Sequence, residues 1–229
     1  MLAASVPQAA AAAANAPQAL PQTVLIADGH AMFRDGLRAL LERGGHHVVG
    51  ATGDGRDALR LARELAPDLA VLDLALPALN GIEAARQIGR RAPATAIIML
   101  TPVDDEALVI DALRAGARGY VLKAQGGDDL LGAIAEVARG ATYLSPGISR
   151  GVVDACLSGD APAADPLTER EREVLQLIAE GRSTREVADL LAVSHKTAES
   201  HRTRIMRKLD LHNVAGLVRY AVRRGLIEA

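Results

Sequence analysis

Short apolar runs alternate with segments of helical period from Thr23 onwards. Five runs predict buried strands, at residues 24–27, 48–51, 69–72, 96–100 and 120–122. The segments between and after them predict helices at residues 33–43, 55–65, 81–89, 106–115 and 127–139. Such alternation is typical of parallel strands covered by helices on both faces. We therefore expect an α/β domain at residues 22–144, with a doubly wound five-stranded parallel sheet.

The pattern becomes purely helical from Pro166 onwards. It predicts helices at residues 169–180, 184–191, 195–209 and 213–224. Thr168 and Glu171 have the spacing of a capping box, in which each side chain bonds the other residue's backbone. The second and third helices are separated by Ala-Val-Ser at 192–194, which favours a helix-turn-helix. Residues 166–229 are thus predicted to form an all-α four-helix domain.

Two segments lack these periodicities. Residues 1–21 are rich in Ala, Pro and Gln and carry no charge, and they have no basic start that would indicate a signal peptide. We predict a disordered tail there. Residues 145–165 are rich in Gly, Ser, Pro and Ala in their second half, which predicts a linker with a short helical turn near 148–156.

Composition narrows the function classes. The 229 residues are 49% apolar and carry a formal net charge of −2, so any attraction to nucleic acid must come from a local basic patch. The single cysteine, Cys156, cannot form an intrachain disulfide, and no apolar run has the length of a membrane span. We expect a cytoplasmic protein without a membrane partner. Neither a Gly-rich phosphate loop nor metal-spaced Cys and His residues occur, and we predict no enzymatic activity.

Four predicted strands end at a polar residue: Asp28, Asp73, Thr101 and Lys123. The carboxyl ends of parallel strands line one crevice, so these side chains are expected to converge. The set suits phosphoryl transfer to a carboxylate, with Asp73 as nucleophile and Lys123 paired with phosphoryl oxygens. A divalent cation, Mg²⁺, would be held by Asp28, Asp73 and a backbone carbonyl, that of Ala75.

Residues 23–144 resemble the receiver domain of bacterial two-component response regulators. The motifs are LIAD at 25–28, LDLALPALNG at 72–81, LT at 100–101 and GYVLK at 119–123. The resemblance implies that Asp73 is the phosphoacceptor for a sensor histidine kinase, and that Thr101 and Lys123 contact the phosphoryl group. It also implies that Tyr120 is a switch residue whose ring turns inward on activation.

Two positions depart from the receiver pattern. Gly29 stands where the family carries a second acid that binds Mg²⁺ directly, so the cation site should be weakened. Pro102 stands where a small residue donates its backbone N–H to the phosphoryl group, and proline has no N–H. Two hypotheses follow: Asp73 is phosphorylated with reduced efficiency, or the receiver is degenerate and another signal controls it.

The predicted helix 195–209 has one polar face and one packing face. Five basic residues on it stand against the single acid Glu199, and such a stripe supplies phosphate contacts. Residues 166–229 resemble the LuxR-type DNA-binding domain through LTEREREVLQLIAEG at 167–181 and VADLLAVSHKTAESHRTRIMRKL at 187–209. The resemblance implies that helix 195–209 enters the major groove. We expect base contacts from Glu199, Ser200 and Thr203, and phosphate contacts from Lys196, Thr197, Arg204, Arg207 and Lys208.

Together the two resemblances predict a response regulator of the NarL/FixJ type, which binds double-stranded DNA as a homodimer. In that family the receiver covers the recognition helix until activation. The alternative is an atypical, phosphorylation-independent regulator, or an interaction module that sequesters another regulator.

Overall fold

The computed structural model describes residues 20–148 and 165–227. Most of the predicted tail, and Cys156 with most of the predicted linker and its helical turn, lie outside these ranges. No helix in the described part of the chain is long and apolar enough to cross a membrane.

The first described range contains one parallel sheet in the strand order β2-β1-β3-β4-β5-β6. Its strands are β1 Thr23–Ala27, β2 His47–Thr52, β3 Leu69–Leu72, β4 Ala96–Thr101, β5 Gly119–Leu122 and β6 Tyr143–Leu144. The order reverses beside β1, as in other doubly wound sheets, so the carboxyl ends of β1 and β3 open onto a shared crevice.

The prediction of five strands is corrected to six. The added strand, β6, pairs in parallel with β5, and it has only two residues, too few to produce an alternating pattern. Long-range contacts hold it in place. The Tyr143 hydroxyl bonds the carboxylate of Asp129, which also accepts a 2.9 Å hydrogen bond from Ser145 Oγ. Burial and this bond raise the pKa of Tyr143 to about 12.

Within residues 20–148, five helices cover the two faces of the sheet. They are α1 Ala31–Arg43, α2 Gly55–Leu65, α3 Gly81–Arg91, α4 Glu106–Arg114 and α5 Gly127–Ala138. Successive strand residues point to opposite faces, so Leu25 packs in the α2–α4 layer whereas Val24 and Ile26 pack in the α1 and α5 layer. The predicted alternation of strands and helices is confirmed.

The second described range is helical, as predicted. Its helices are α6 Glu169–Ala179, α7 Thr184–Leu190, α8 His195–Lys208 and α9 Val214–Arg223. The capping box of Thr168 and Glu171 is confirmed, and Ser183 and Glu186 form a second one at the start of α7. These capping boxes fix where two of the helices begin. A common apolar core packs the four helices together, and its buried residues include Leu175, Ile205 and Leu217.

Candidate functional site

Three of the polar strand-end residues meet at the carboxyl edge of the sheet. Lys123 Nζ, just after β5, lies 2.6 Å from Asp28 Oδ2 and 2.8 Å from Asp73 Oδ2. Asp28 and Asp73 follow β1 and β3, and each residue is only 2% exposed. When all three groups are ionised, two carboxylates against one ammonium leave one net negative charge in the crevice.

Burial and pairing act against each other at the central carboxylate. Burial raises the pKa of Asp73, and the hydrogen bond and charge of Lys123 offset only part of that rise. For Lys123 the balance is reversed: burial lowers its pKa, but its bonds to the two carboxylates outweigh burial and hold the pKa above the usual value. Asp73 Oδ1 also accepts a 2.8 Å hydrogen bond from Leu74 N. Both carboxylate oxygens of Asp73 therefore have defined partners.

Thr101 and Tyr120 flank this group on β4 and β5. Thr101 is fully buried, and its Oγ1 accepts a 3.3 Å hydrogen bond from Val103 N. Pro102, between these two, has no N–H to offer to the crevice. Tyr120 is also fully buried and donates a 2.8 Å hydrogen bond to Val103 O; burial raises its pKa. The Tyr120 ring thus points inward in this structure.

His30 is a site residue that the sequence interpretation missed. Its backbone N–H donates a 2.8 Å hydrogen bond to Asp28 Oδ1, and its Nδ1 lies 3.3 Å from the same oxygen. Asp28, His30 and Asp73 each bring one potential metal-ligand atom within 4.8 Å of the others. The sequence feature that could have identified His30 is its position two residues after the strand-end Asp28.

The donor set fits Mg²⁺ poorly. Mg²⁺ is held by carboxylates, carbonyls and water in octahedral geometry. Here the third side chain of the group offers imidazole nitrogen, and Gly29 offers no side-chain donor. Ala75, the expected carbonyl donor, lies half-buried in the loop that follows Asp73.

The candidate DNA-contacting face of α8 is open. Ser194 caps the helix by accepting a hydrogen bond from Thr197 N, and Ala198 and Ile205 turn into the core. Ser200 is half-buried, whereas the other candidate residues are exposed: Lys196, Thr197, Glu199, Thr203, Arg204, Arg207 and Lys208.

One of these residues has a partner inside its own domain. Lys208 Nζ lies 2.6 Å from Glu171 Oε2 and 3.1 Å from Pro166 O. Although burial alone would raise the pKa of Glu171, its bonds to Lys208 and Thr168 bring it below the usual value. Lys208 therefore fastens the end of α8 to the start of α6, a role that the helix pattern alone does not indicate.

The receiver packs against α6 and not against the open face of α8. We call residues 74–80, between β3 and α3, the acceptor loop. Gln176 of α6 is fully buried against it: its Oε1 accepts from Asn80 N at 2.7 Å and its Nε2 donates to Leu76 O at 2.8 Å. Glu180 accepts from Ala78 N at 2.9 Å. The expectation that the receiver covers the recognition helix does not hold in this structure.

Charged and amide pairs surround this contact. Arg172 Nε lies 3.1 Å from Glu83 Oε2, a carboxylate whose pKa burial raises in spite of the neighbouring arginines. The other hydrogen-bonded pairs are Gln87 with Glu173, Arg90 with Glu169, Arg56 with Glu173, and Arg224 with Asp111. We call the whole set, together with the Gln176 and Glu180 bonds, the domain contact. It joins the acceptor loop, α2, α3 and α4 to α6 and the end of α9.

Comparison with known proteins finds a matching protein family for each of the two parts of the chain. Residues 24–135 match the response regulator receiver domain, and residues 165–221 match the bacterial regulatory proteins of the luxR family. The transcriptional regulatory protein MctR of Rhizobium johnstonii is 37% identical over 206 residues, which cover 89% of this chain and 94% of MctR. The chain belongs to the NarL/FixJ-type response regulators. It is a two-component response regulator with a receiver and a LuxR-type DNA-binding domain.

Other relatives share this two-domain arrangement. The oxygen regulatory protein NreC of Staphylococcus aureus is 38% identical, over 90% of this chain and 99% of NreC. A structure of the Salmonella typhimurium response regulator RcsB matches with a TM-score of 0.63 and 30% identity, over 89% of this chain and 98% of RcsB. Another shows RcsB bound to a promoter in the presence of a phosphomimetic, with a TM-score of 0.60, 30% identity, and coverage of 87% of this chain and 97% of RcsB. LuxR-type response regulators bind DNA, and the family consists of DNA-binding regulators rather than classical enzymes.

Proposed function

We propose that this response regulator is a cytoplasmic transcription factor that binds paired DNA half-sites as a homodimer, through the open face of α8. The observation that carries the proposal is the exposure of that face while the receiver is docked on α6. Glu199, Ser200 and Thr203 would contact base edges. Phosphate contacts would come from exposed side chains near them: Lys196, Thr197, Arg204 and Arg207. Lys208 would join them only by leaving Glu171.

The dimer in this proposal would read two half-sites related by its own twofold axis. Val218 and Val222 of α9 line a surface depression together with Leu211, Gly216, Arg219 and Arg223, and none of these residues makes a bond of the domain contact. That depression, next to the exposed Val214, gives two DNA-binding domains a surface on which to pair while the receiver stays docked.

We further propose that Asp73 accepts the phosphoryl group, from a sensor histidine kinase, more slowly than in a receiver with the full acidic pair. Its burial, its Lys123 partner and the nearby Thr101 support the assignment. Gly29 and Pro102 limit the rate, since each removes one group that would stabilise a transferring phosphoryl group. Asp73 directly precedes the acceptor loop, so a phosphoryl group on Asp73 would act close to the bonds that the loop makes with Gln176.

The full chain is first used to select a DNA duplex that it binds from a random library. Replacing Arg207 by alanine is expected to weaken the binding of that duplex. Removing one phosphate contact lowers the magnitude of the slope of log affinity against log salt by about 0.9. The loss should be similar for specific and unrelated duplexes, because a phosphate contact carries no sequence information. Fluorescence anisotropy over a salt series measures both quantities.

Arg43→Ala is the matched control, since Arg43 is an exposed arginine at the end of α1 in the receiver. It should leave the affinity and the slope unchanged. An Arg207→Ala slope equal to that of the wild type would remove Arg207 from the interface. Absence of specific binding to any selected duplex would instead favour a module that sequesters another regulator.

Asp73 is expected to gain one phosphoryl group at least about tenfold more slowly in the wild type than in Gly29→Asp, which corresponds to about 1.4 kcal/mol of barrier. A Cβ at position 29 would meet only Pro77 Cδ, at 3.8 Å, so the aspartate has room. Intact-protein mass, followed over time with a small phosphodonor and Mg²⁺, measures both rates. Asp73→Asn should gain nothing in either background. Equal rates for wild type and Gly29→Asp would show that the missing acid does not limit the reaction.

A further inference from the structure

The crevice beside Asp73 contains a donor set that differs from the oxygen-only set suited to Mg²⁺. Asp28 and Asp73 supply buried carboxylates, and His30 supplies an imidazole at the mouth of the crevice, where its side chain is 59% exposed. The three ligand atoms lie within 4.8 Å of one another. Ligand atoms at about 2.0–2.2 Å from a common ion are separated by at most about 4.4 Å, so a small closure of the group suffices.

The local backbone directs the imidazole towards this group. His30 is the residue before α1, a position at which side chains commonly cap the helix. Its side chain makes no cap hydrogen bond. Instead, the bond from His30 N to Asp28 Oδ1 bends the backbone so that Nδ1 lies 3.3 Å from that oxygen.

We propose that Asp28, His30 and Asp73 form a binding site for a divalent transition-metal ion such as Zn²⁺ or Co²⁺. Imidazole suits these ions, whereas an oxygen-only set of carboxylate, carbonyl and water suits Mg²⁺. The loss of the acid at position 29 thus changes the preferred ion rather than only weakening the site. A bound ion would add two positive charges beside Asp73 and compete with Lys123 for its carboxylate.

The chain contains a matched control for the imidazole. Asp210 and His212 repeat the Asp-x-His spacing, and His212 Nε2 lies 3.8 Å from Asp210 Oδ1. Both side chains are almost fully exposed, at 96% for Asp210 and 85% for His212. No second carboxylate joins them in a metal-binding group within the described residues. A site that needs only an aspartate and a nearby histidine would form at both places, whereas the proposed site forms only beside Asp73.

The test is a titration of the tag-free full chain with Co²⁺ and, separately, with Mg²⁺. The readouts are calorimetry and the visible absorption of bound Co²⁺. Preference for Co²⁺ alone does not decide the matter, because most nitrogen and oxygen sites favour transition metals. The expected result is one tight Co²⁺ site whose affinity falls at least about tenfold in His30→Ala, since even outer partners of metal ligands are worth about 10- to 100-fold. Mg²⁺ affinity should not change in that variant.

Three further variants define the outcome. His212→Ala should leave Co²⁺ binding unchanged, and Asp73→Asn should weaken it. Gly29→Asp should raise Mg²⁺ affinity, because it supplies the missing oxygen donor. Co²⁺ affinity and absorption that are the same in His30→Ala and in the wild type would overturn the proposal. Operator binding is measured separately in EDTA, so failure of the metal site and failure of the DNA-binding proposal are distinguishable.

Discussion

Gly81→Ala is expected to destabilise the receiver by about 3 kcal/mol, at the upper end of the cost of overpacking. Gly81 is the first residue of α3, and its N–H donates a 2.7 Å hydrogen bond to Leu74 O. A Cβ there would lie 2.0 Å from the backbone oxygen of Asp73 and 2.8 Å from Met99 Cε. The methionine side chain can move, but the oxygen belongs to the backbone that positions Asp73, so the acceptor loop itself must shift. Denaturant or thermal unfolding of the full chain measures the loss.

Gly89→Ala provides the control within the same helix. A Cβ at position 89 would meet only Ala115 O, at 3.9 Å, in ordinary contact. Alanine there should stabilise the receiver by about 0.5–1 kcal/mol, because glycine loses more backbone freedom in a helix. If Gly81→Ala were as stable as Gly89→Ala, the close approach between α3 and Asp73 would have no energetic consequence. Slower phosphorylation of Gly81→Ala is the expected companion effect.

Gln176→Leu is expected to release the DNA-binding domain from the receiver. The substitution keeps the size of the side chain but leaves Asn80 N and Leu76 O without their partner, and each unsatisfied buried group costs about 1–3 kcal/mol. These groups regain hydrogen bonds only when water enters between the domains. Hydrogen exchange of the Asn80 amide should therefore become faster, and the radius of gyration from small-angle scattering should increase.

Gln125→Leu is the control for this substitution, since Gln125 Nε2 donates a hydrogen bond to Pro146 O and neither residue belongs to the domain contact. It should leave both readouts unchanged. DNA affinity of Gln176→Leu should stay within about threefold of the wild type, or about 0.7 kcal/mol, because the face of α8 is exposed in the docked state. A rise of tenfold or more would mean that docking restrains DNA binding. Unchanged exchange and scattering would mean that Gln176 does not hold the domains together.

Helices and strands that are defined by neighbouring residues were predicted correctly from the sequence. The bounds of α2 and β3 match the predicted ranges, because Asp54 caps the helix and the strand is fully buried. The capping box of Thr168 and Glu171 needs only residues three apart, so its chemistry is local. The meeting of Asp28, Asp73 and Lys123 also followed, since parallel strands bring their carboxyl ends to one edge.

Features that depend on contacts between residues far apart in the chain were not predicted from the sequence. The strand β6 exists because Tyr143 and Ser145 reach Asp129 and the backbone of β5. In the sequence, Lys208 is one of several basic residues on the polar face of a helix, and only the fold shows that it pairs with Glu171. Sequence spacing relates His30 only to Asp28, because Asp73 comes from another strand.

The sequence by itself determined the fold classes of the two domains and the caps of their helices, because both depend on patterns among residues that are close in the chain. It also determined which polar residues meet at the strand ends, because the carboxyl ends of parallel strands lie at one edge of the sheet. Only the tertiary structure decided how the domains meet. Gln176 and Glu180 bond backbone groups of the acceptor loop about one hundred residues earlier in the chain. Backbone N–H and C=O groups are present at every position, so no residue pattern marks which of them an amide from another domain will satisfy.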